Sequence, residues 1–302
     1  MVWRADRRRT HADSHWFAGS SVGAITAALL VRNAPGVRIA RLREFWSEPN
    51  MWQSLRMPAP ASFRHGQNWL SAIQTRLFGA PGHFRPRAPG MPFEDFTSLY
   101  DLAPMRRSLE RLIDFTLLNS GEARLTVATT DIETGQVVLF DTAREKLTID
   151  HLMASCGMLP EFAPVTIDGR LLGDGGLAAN APFEPILADA APRLVFVLDL
   201  FARDGGRPRS FAAALARKNE LMFGNQTLRT LEFWRDTSRG RNDGKRVVYL
   251  SYRASPDEAD AEKLFDLSAR TVDDRWQAGS RDMEAALLQA RAADAGPLQI
   301  SR

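Results

Sequence analysis

The run "RLVFVLDLF" at 193–201 is the feature of this sequence that most constrains its fold. It is almost continuously hydrophobic and shows no alternation between apolar and polar positions. Strands of this kind are buried on both faces, as parallel strands are when helices cover the sheet. The run therefore predicts a central parallel strand in a layered α/β protein.

Helical and strand-like segments alternate along the rest of the chain. Two strand-like runs, "RLTVATTDIE" and "QVVLFDT", are separated by Thr134 and Gly135, which predicts a hairpin. The acids beside that turn, Asp131 and Asp141, are expected to be solvated. We find no internal repeat and no long linker, so one α/β domain is favoured. Hydrophobic residues recur at helical spacing in four further segments, 41–78, 104–121, 209–235 and 257–293.

Composition excludes several classes of protein. The 302 residues are 44% hydrophobic and 25% charged, with a net charge of only +3, which argues against a nucleic-acid-binding protein. Cys156 is the single cysteine, so an internal disulfide and a cysteine-rich metal site are both excluded. No apolar run approaches the ~18 residues of a membrane span. We expect a cytoplasmic protein that needs no cofactor and no metal.

Residues 19–23 read Gly-Ser-Ser-Val-Gly, the G-x-S-x-G spacing. In that pattern the serine stands on a sharp turn between a strand and a helix. The run "AITAALLV", which follows Gly23, is suited to such a helix. Ser21 is therefore a candidate nucleophile, although a serine between two glycines by chance is the alternative.

A serine nucleophile needs a group that accepts its proton. No histidine follows His151. His151 itself stands at the expected start of a helix, where packing at the helix terminus is favoured over a role as the base. Asp174 is the stronger candidate, because Gly175 and Gly176 after it leave little side-chain bulk in its way. A plain Asp-Gly turn is the alternative reading.

Taken together, Ser21 and Asp174 resemble the Ser-Asp dyad of the patatin-like phospholipases. The segment "MASCGMLPEFAPVTIDGRLLGDGGLAANAP" (153–182) is similar to the family pattern that ends in Asp-Gly-Gly-x-x-x-Asn-x-Pro. The hairpin sequence at 129–141 and two segments after residue 197 also resemble the family. The resemblance covers nearly the whole chain from residue 17.

The resemblance implies a three-layer α/β/α fold with a mostly parallel central sheet. It also implies that Ser21 attacks an ester carbonyl and that Asp174 acts as its base, through an acyl-enzyme intermediate. Gly19 and Gly23 would let the turn form without a Cβ clash. The N–H of Val22 would stabilise the developing negative charge.

The family carries a glycine-rich loop before the nucleophile, whose amides form the oxyanion hole. Here only twenty residues precede Ser21, and the first glycine is Gly19. We therefore expect that loop, and the first family strand before it, to be missing. The explanation we favour is a start site upstream of Met1; the alternatives are a degenerate homologue and donors from another segment.

These observations predict a poorly ordered or truncated N-terminus over 1–16 and a single domain over 17–302, in which 203–302 is a family-specific extension. The expected partner is a lipid or another acyl ester, and peripheral contact with a membrane is left open. For the helix at 211–234, packing on the core is favoured over an interfacial role. The alternative function is a lipid-binding or scaffolding pseudoenzyme.

Overall fold

The structure is a computed structural model. The residues that it describes are 2–4, 13–31, 37–47, 64–87, 97–191, 194–237, 245–253, 264–292 and 300–301.

A central nine-stranded sheet and a separate two-stranded sheet form the β structure of these residues. The small sheet pairs β3 (Arg85–Pro86) with β4 (Tyr100–Asp101). The strands of the central sheet are β1 (Val2–Arg4), β2 (Asp13–Ser20), β5 (Arg124–Asp131), β6 (Val137–Asp141), β7 (Val165–Ile167), β8 (Arg170–Asp174), β9 (Leu194–Asp199), β10 (Arg246–Ser251) and β11 (Ile300–Ser301).

The order along the central sheet is β11-β10-β9-β1-β2-β5-β8-β7, and β6 pairs with β5. Strands β2, β5, β7, β9, β10 and β11 point the same way, whereas β1, β6 and β8 run against them. The sheet is therefore mixed and mostly parallel. Strand β9, predicted from the run at 193–201, lies parallel to β10, with Val195 opposite Val247.

Helices cover both faces of the sheet. Phe17 and Leu125 belong to one hydrophobic cluster, with residues of the first helix, and Trp16 belongs to another, with Leu228 and Leu231 of the long helix after β9. Adjacent residues of a strand point to opposite faces, so the two clusters lie on opposite sides. The helices are α1 (Val22–Val31), α2 (Arg38–Trp46), α3 (Arg64–Phe78), α4 (Ala103–Leu112), α5 (Phe115–Leu118), α6 (Ile149–Ala154), α7 (Glu184–Ala188), α8 (Phe211–Asp236) and α9 (Ala269–Ala292).

Three local predictions need correction. The helix expected over 104–121 is broken, because the Asp114 carboxylate accepts hydrogen bonds from the N–H groups of Thr116 and Leu117 and so begins α5 as a separate helix. The last helix begins at Ala269; residues 257–263 lie outside the described residues. Asp131 and Asp141 are buried rather than solvated, since each carboxylate pairs with an arginine.

The hairpin at Thr134 and Gly135 is confirmed: β5 and β6 pair antiparallel, and Gly135 has φ of 72°. Strand β2, however, begins at Asp13, before residue 17. Trp16 is buried, and its indole N–H donates to Thr126 Oγ1 at 2.9 Å. Residues 5–12 lie outside the described residues, so an unordered segment there stays a prediction.

Strand β1 lies between β2 and β9 and pairs antiparallel with both. The sequence predicts that the family strand beside β2 is missing. In the structure that edge of β2 is occupied, by a strand of three residues that runs against β2.

Candidate active site

Ser21 occupies a tight turn between β2 and α1. Its φ of 54° lies in the left-handed region, which is uncommon for residues other than glycine. Gly19 makes the turn sterically feasible, because a Cβ on this residue would lie 2.4 Å from the carbonyl carbon of Gly23. Strained backbone of this kind is common at functional sites.

A serine on another helix holds this turn in place. The backbone N–H of Ser21 donates to Ser155 Oγ at 2.8 Å, and Ser155 Oγ donates to the carbonyl oxygen of Ala128 on β5 at 2.7 Å. Ser155 is completely buried at the end of α6. The turn is thus tied to both a neighbouring strand and a neighbouring helix.

The topology of the sheet brings Ser21 and Asp174 together. Because β6 covers one edge of β5, β2 and β8 must share the opposite edge. Strand β2 ends with Ser20 opposite Ala128, and β8 ends with Asp174 opposite Thr129, the next residue of β5. Since β2 is parallel and β8 antiparallel to β5, their carboxyl ends meet head to head.

The Asp174 carboxyl is almost completely buried, with 1% of its surface exposed. Oδ1 accepts a hydrogen bond from the N–H of Gly176 at 2.7 Å, whereas Oδ2 has no hydrogen-bond partner among the described residues. Burial raises the pKa of Asp174 from 3.8 to about 6, although the nearby Ser21 hydroxyl and the hydrogen bond from the Gly176 N–H oppose the rise. A carboxylate that is short of partners is a stronger base than an ordinary aspartate.

The Ser21 hydroxyl is close enough to act on the pKa of Asp174, but it does not complete a hydrogen bond of normal geometry to Oδ2. Hydrogen bonds between nucleophile and base are often long in enzymes without substrate and tighten when substrate binds. The arrangement can therefore deliver the Ser21 proton to Asp174.

Three glycines near Ser21 and Asp174 differ in how closely a Cβ at their position would approach neighbouring atoms. A Cβ on Gly175 would lie 2.4 Å from the Ala128 carbonyl oxygen and 2.5 Å from Ser20 Oγ, and one on Gly176 would lie 3.0 Å from Asp174 Oδ1. A Cβ on Gly23 would come within 4 Å of no described residue outside its own helix. The steric reason expected for Gly23 is therefore not found among the residues that the structure describes.

The first turn of α1 supplies the donors nearest to Ser21. Val22 begins the helix, and the first N–H groups of a helix have no carbonyl partner within it. The N–H of Ser21 itself is already bonded to Ser155. The N–H groups of Val22 and Gly23, the first two of the helix, follow Ser21 directly in the chain.

A partly buried polar network supports the Asp174 turn from α8. The Gln226 side chain donates to the carbonyl oxygen of Gly176 at 3.2 Å and accepts from the N–H of Asn180 at 3.1 Å. The Asn180 amide in turn donates to Asp199 Oδ1 at 3.0 Å, at the end of β9. Asn180 belongs to the Asp-Gly-Gly-x-x-x-Asn-x-Pro motif. Gln226, Asp199 and Ser155 carry no sequence signal that marks them as parts of the site.

The two other candidate groups, His151 and Cys156, are both buried. The interpretation of His151 as a helix-terminal residue is confirmed: its Nδ1 accepts from the N–H of Thr148, and its ring packs on Phe140. Cys156 is buried, as expected; burial and the Asp174 charge raise the pKa of its thiol, and the nearby Ser21 hydroxyl opposes that rise. Within the described ranges, no group of three His, Cys, Asp or Glu residues could hold a metal ion. No helix in the described part of the chain has the length and hydrophobicity needed to cross a membrane.

The model of the patatin-like phospholipase family matches residues 15–187, which is more than half of the chain and includes both Ser21 and Asp174. The chain belongs to the patatin-like phospholipase family. Among curated proteins, none matches this patatin-like protein. VipD from Legionella pneumophila is a structural neighbour with a TM-score of 0.30 and 13% sequence identity, over 86% of this chain and 61% of VipD. The patatin-like chain thus spans less than two thirds of VipD.

Proposed function

We propose that this patatin-like protein is a serine acyl hydrolase that cleaves phospholipids or other acyl esters with Ser21 and Asp174. Membership of the family supports lipid acyl hydrolase activity in general. The observation that carries the finer proposal is the meeting of a strained serine turn with a buried aspartate whose Oδ2 has no hydrogen-bond partner in the described part of the chain.

In the proposed first half-reaction, Ser21 Oγ attacks the ester carbonyl carbon while Asp174 accepts the Ser21 proton. The N–H groups of Val22 and Gly23 stabilise the oxyanion of the tetrahedral intermediate. Collapse of that intermediate breaks the bond to the alcohol, which takes the proton from Asp174 as it leaves. The acyl group remains on Ser21 as an ester.

In the second half-reaction, water attacks the acyl ester, and Asp174 accepts a proton from that water. The fatty acid leaves, and Ser21 regains its proton. Burial of Asp174 supports both steps, because a base with a pKa of about 6 is ionised at neutral pH yet binds a proton more tightly than an ordinary aspartate.

The first test is covalent labelling of the purified protein with a fluorophosphonate probe. Ser21→Ala and Asp174→Asn should both abolish labelling. Ser20→Ala is the matched control, because Ser20 is a buried serine one position away, and this variant should label like the wild type.

Release of fatty acid from phospholipid and from short-chain esters should follow the same pattern in the same four proteins. Absence of labelling and of hydrolysis in a folded wild-type protein would contradict the proposal. A lipid-binding protein without catalysis would then be the better description.

A further inference from the structure

The outer face of α8 carries an unusual row of residues. Four large apolar side chains on it are exposed: Phe211 by 83%, Leu215 by 37%, Met222 by 53% and Phe233 by 66%. At 100° per residue these four fall within a sector of about 40° of the helix, so they form one stripe. The stripe extends over about 33 Å, since 22 residues separate its ends.

The opposite face of α8 packs on the core, as the sequence predicts. Gly224, Thr227, Leu228 and Leu231 are buried there. The helix is therefore already held in the domain by its inner face, and the stripe is not needed for folding. Exposed apolar residues that are scattered singly need no explanation, but four large ones that share one side of a helix point to an interaction surface.

Basic residues accompany the stripe. Lys218 and Arg229 are exposed; Arg229 lies in the same sector of the helix and Lys218 about 20° outside it, both between the apolar members along the axis. Arg207 and Arg209 are exposed just before the helix begins. The acidic residues of α8 point elsewhere or are paired: Glu220 with Arg217, Glu232 with Arg203 and Asp236 with Arg235.

The stripe passes close to the proposed catalytic pair. Gln226, one helical turn after Met222, contacts both Gly176 and Asn180 in the turn that carries Asp174. Two apolar residues beside the pair are also exposed, Val22 by 36% and Leu177 by 41%. The middle of the stripe therefore lies next to the turn that carries Asp174.

We infer that the outer face of α8, from Phe211 to Phe233, docks on an anionic lipid surface. Apolar side chains enter the boundary between headgroups and acyl chains, and the basic residues meet the negatively charged headgroups. This inference deepens the proposed function, because it names the surface from which Ser21 would take its substrate.

Binding is tested in the Ser21→Ala background, so that it does not depend on catalysis. The probes are phosphatidylcholine vesicles, with and without about one third phosphatidylglycerol, measured by co-sedimentation. Replacement of Phe211 and Phe233 together by Ser should weaken vesicle binding at least about tenfold. Replacement of Lys218 and Arg229 by Gln should weaken binding to the anionic vesicles alone.

The matched control is Leu288→Ser, since Leu288 is 67% exposed on α9 and does not belong to the stripe. This control should bind vesicles as the parent does. In proteins that retain Ser21, the double Phe→Ser change should lower hydrolysis of vesicle lipid but not hydrolysis of a soluble short-chain ester.

Equal vesicle binding by the parent and the double Phe→Ser variant would overturn the inference. The inference would also be overturned if the parent formed a stable dimer and the double variant were monomeric, because a second copy would then cover the stripe. If vesicles bind as expected but no ester is cleaved, the docking surface stands and the proposed catalytic function fails.

Discussion

Replacement of the buried acid, Asp174→Asn, should abolish hydrolysis and yet stabilise the folded protein at neutral pH. Burial raises the pKa of Asp174 from 3.8 to about 6, which means that the folded state holds the ionised carboxylate at a cost. A rise of this size corresponds to about 3 kcal/mol of unfolding free energy. Asparagine keeps an oxygen for the N–H of Gly176 and carries no charge.

The pH dependence gives the sign of the effect. Between pH 3.8 and about pH 6 the folded wild type binds more protons at Asp174 than the unfolded chain does. Its unfolding free energy therefore falls as the pH rises through this window, and the cost is complete above it. The amide does not titrate, so the advantage of the variant should grow by about 2 kcal/mol between about pH 4.5 and about pH 8.

Urea unfolding followed by tryptophan fluorescence at several pH values measures this difference. Any constant cost of burying the amide cancels between the two pH values. Asp141→Asn is the contrasting control. Burial would raise the pKa of Asp141, but hydrogen bonds from Arg124, Thr126 and the Ala143 N–H lower it overall.

The Asp141→Asn variant should lose about 2 kcal/mol at neutral pH, because it loses charged hydrogen bonds to Arg124. That loss should shrink as the pH falls through the lowered pKa of Asp141, where the wild type also loses the charge. A stability difference between wild type and Asp174→Asn that does not change with pH would refute the raised pKa.

Three further predictions concern the same site. The kcat/KM for a soluble ester should rise with pH to a plateau, with its midpoint near the Asp174 pKa of about 6. A kcat/KM that stays constant down to about pH 4 would exclude Asp174 as the base. Gly175→Ala should cost about 1 to 3 kcal/mol or more in urea unfolding, because its Cβ would lie 2.4 Å from the Ala128 carbonyl oxygen, whereas Gly23→Ala should be nearly neutral. Ser155→Ala should slow fluorophosphonate labelling about tenfold to a hundredfold, because the Ser21 turn loses the acceptor of its N–H, and Ser20→Ala should leave the labelling rate unchanged.

Much of the fold could be predicted from the sequence because the relevant signals are local. The apolar run that forms β9, the turn at Gly135 and the periodicity of α8 each depend on residues close together in the chain. The G-x-S-x-G spacing likewise indicated the turn at Ser21. Where a local signal competed with another, the prediction was less accurate: Asp114 caps a new helix inside a segment that reads as one.

What the sequence determined by itself is the pattern of helices, strands and turns, together with the residue types that could react. Only the tertiary structure decided which groups meet: β2 and β8 end against each other on β5, and Ser155 and Gln226 hold the two turns. The tertiary structure also decided that a Cβ would clash at Gly175 but not at Gly23 among the described residues. The physical reason is that steric contacts, and the removal of a side chain from water, depend on atoms of residues that are distant in the sequence. The same dependence raises the pKa of Asp174, since its burial comes from the strands and helices packed around it.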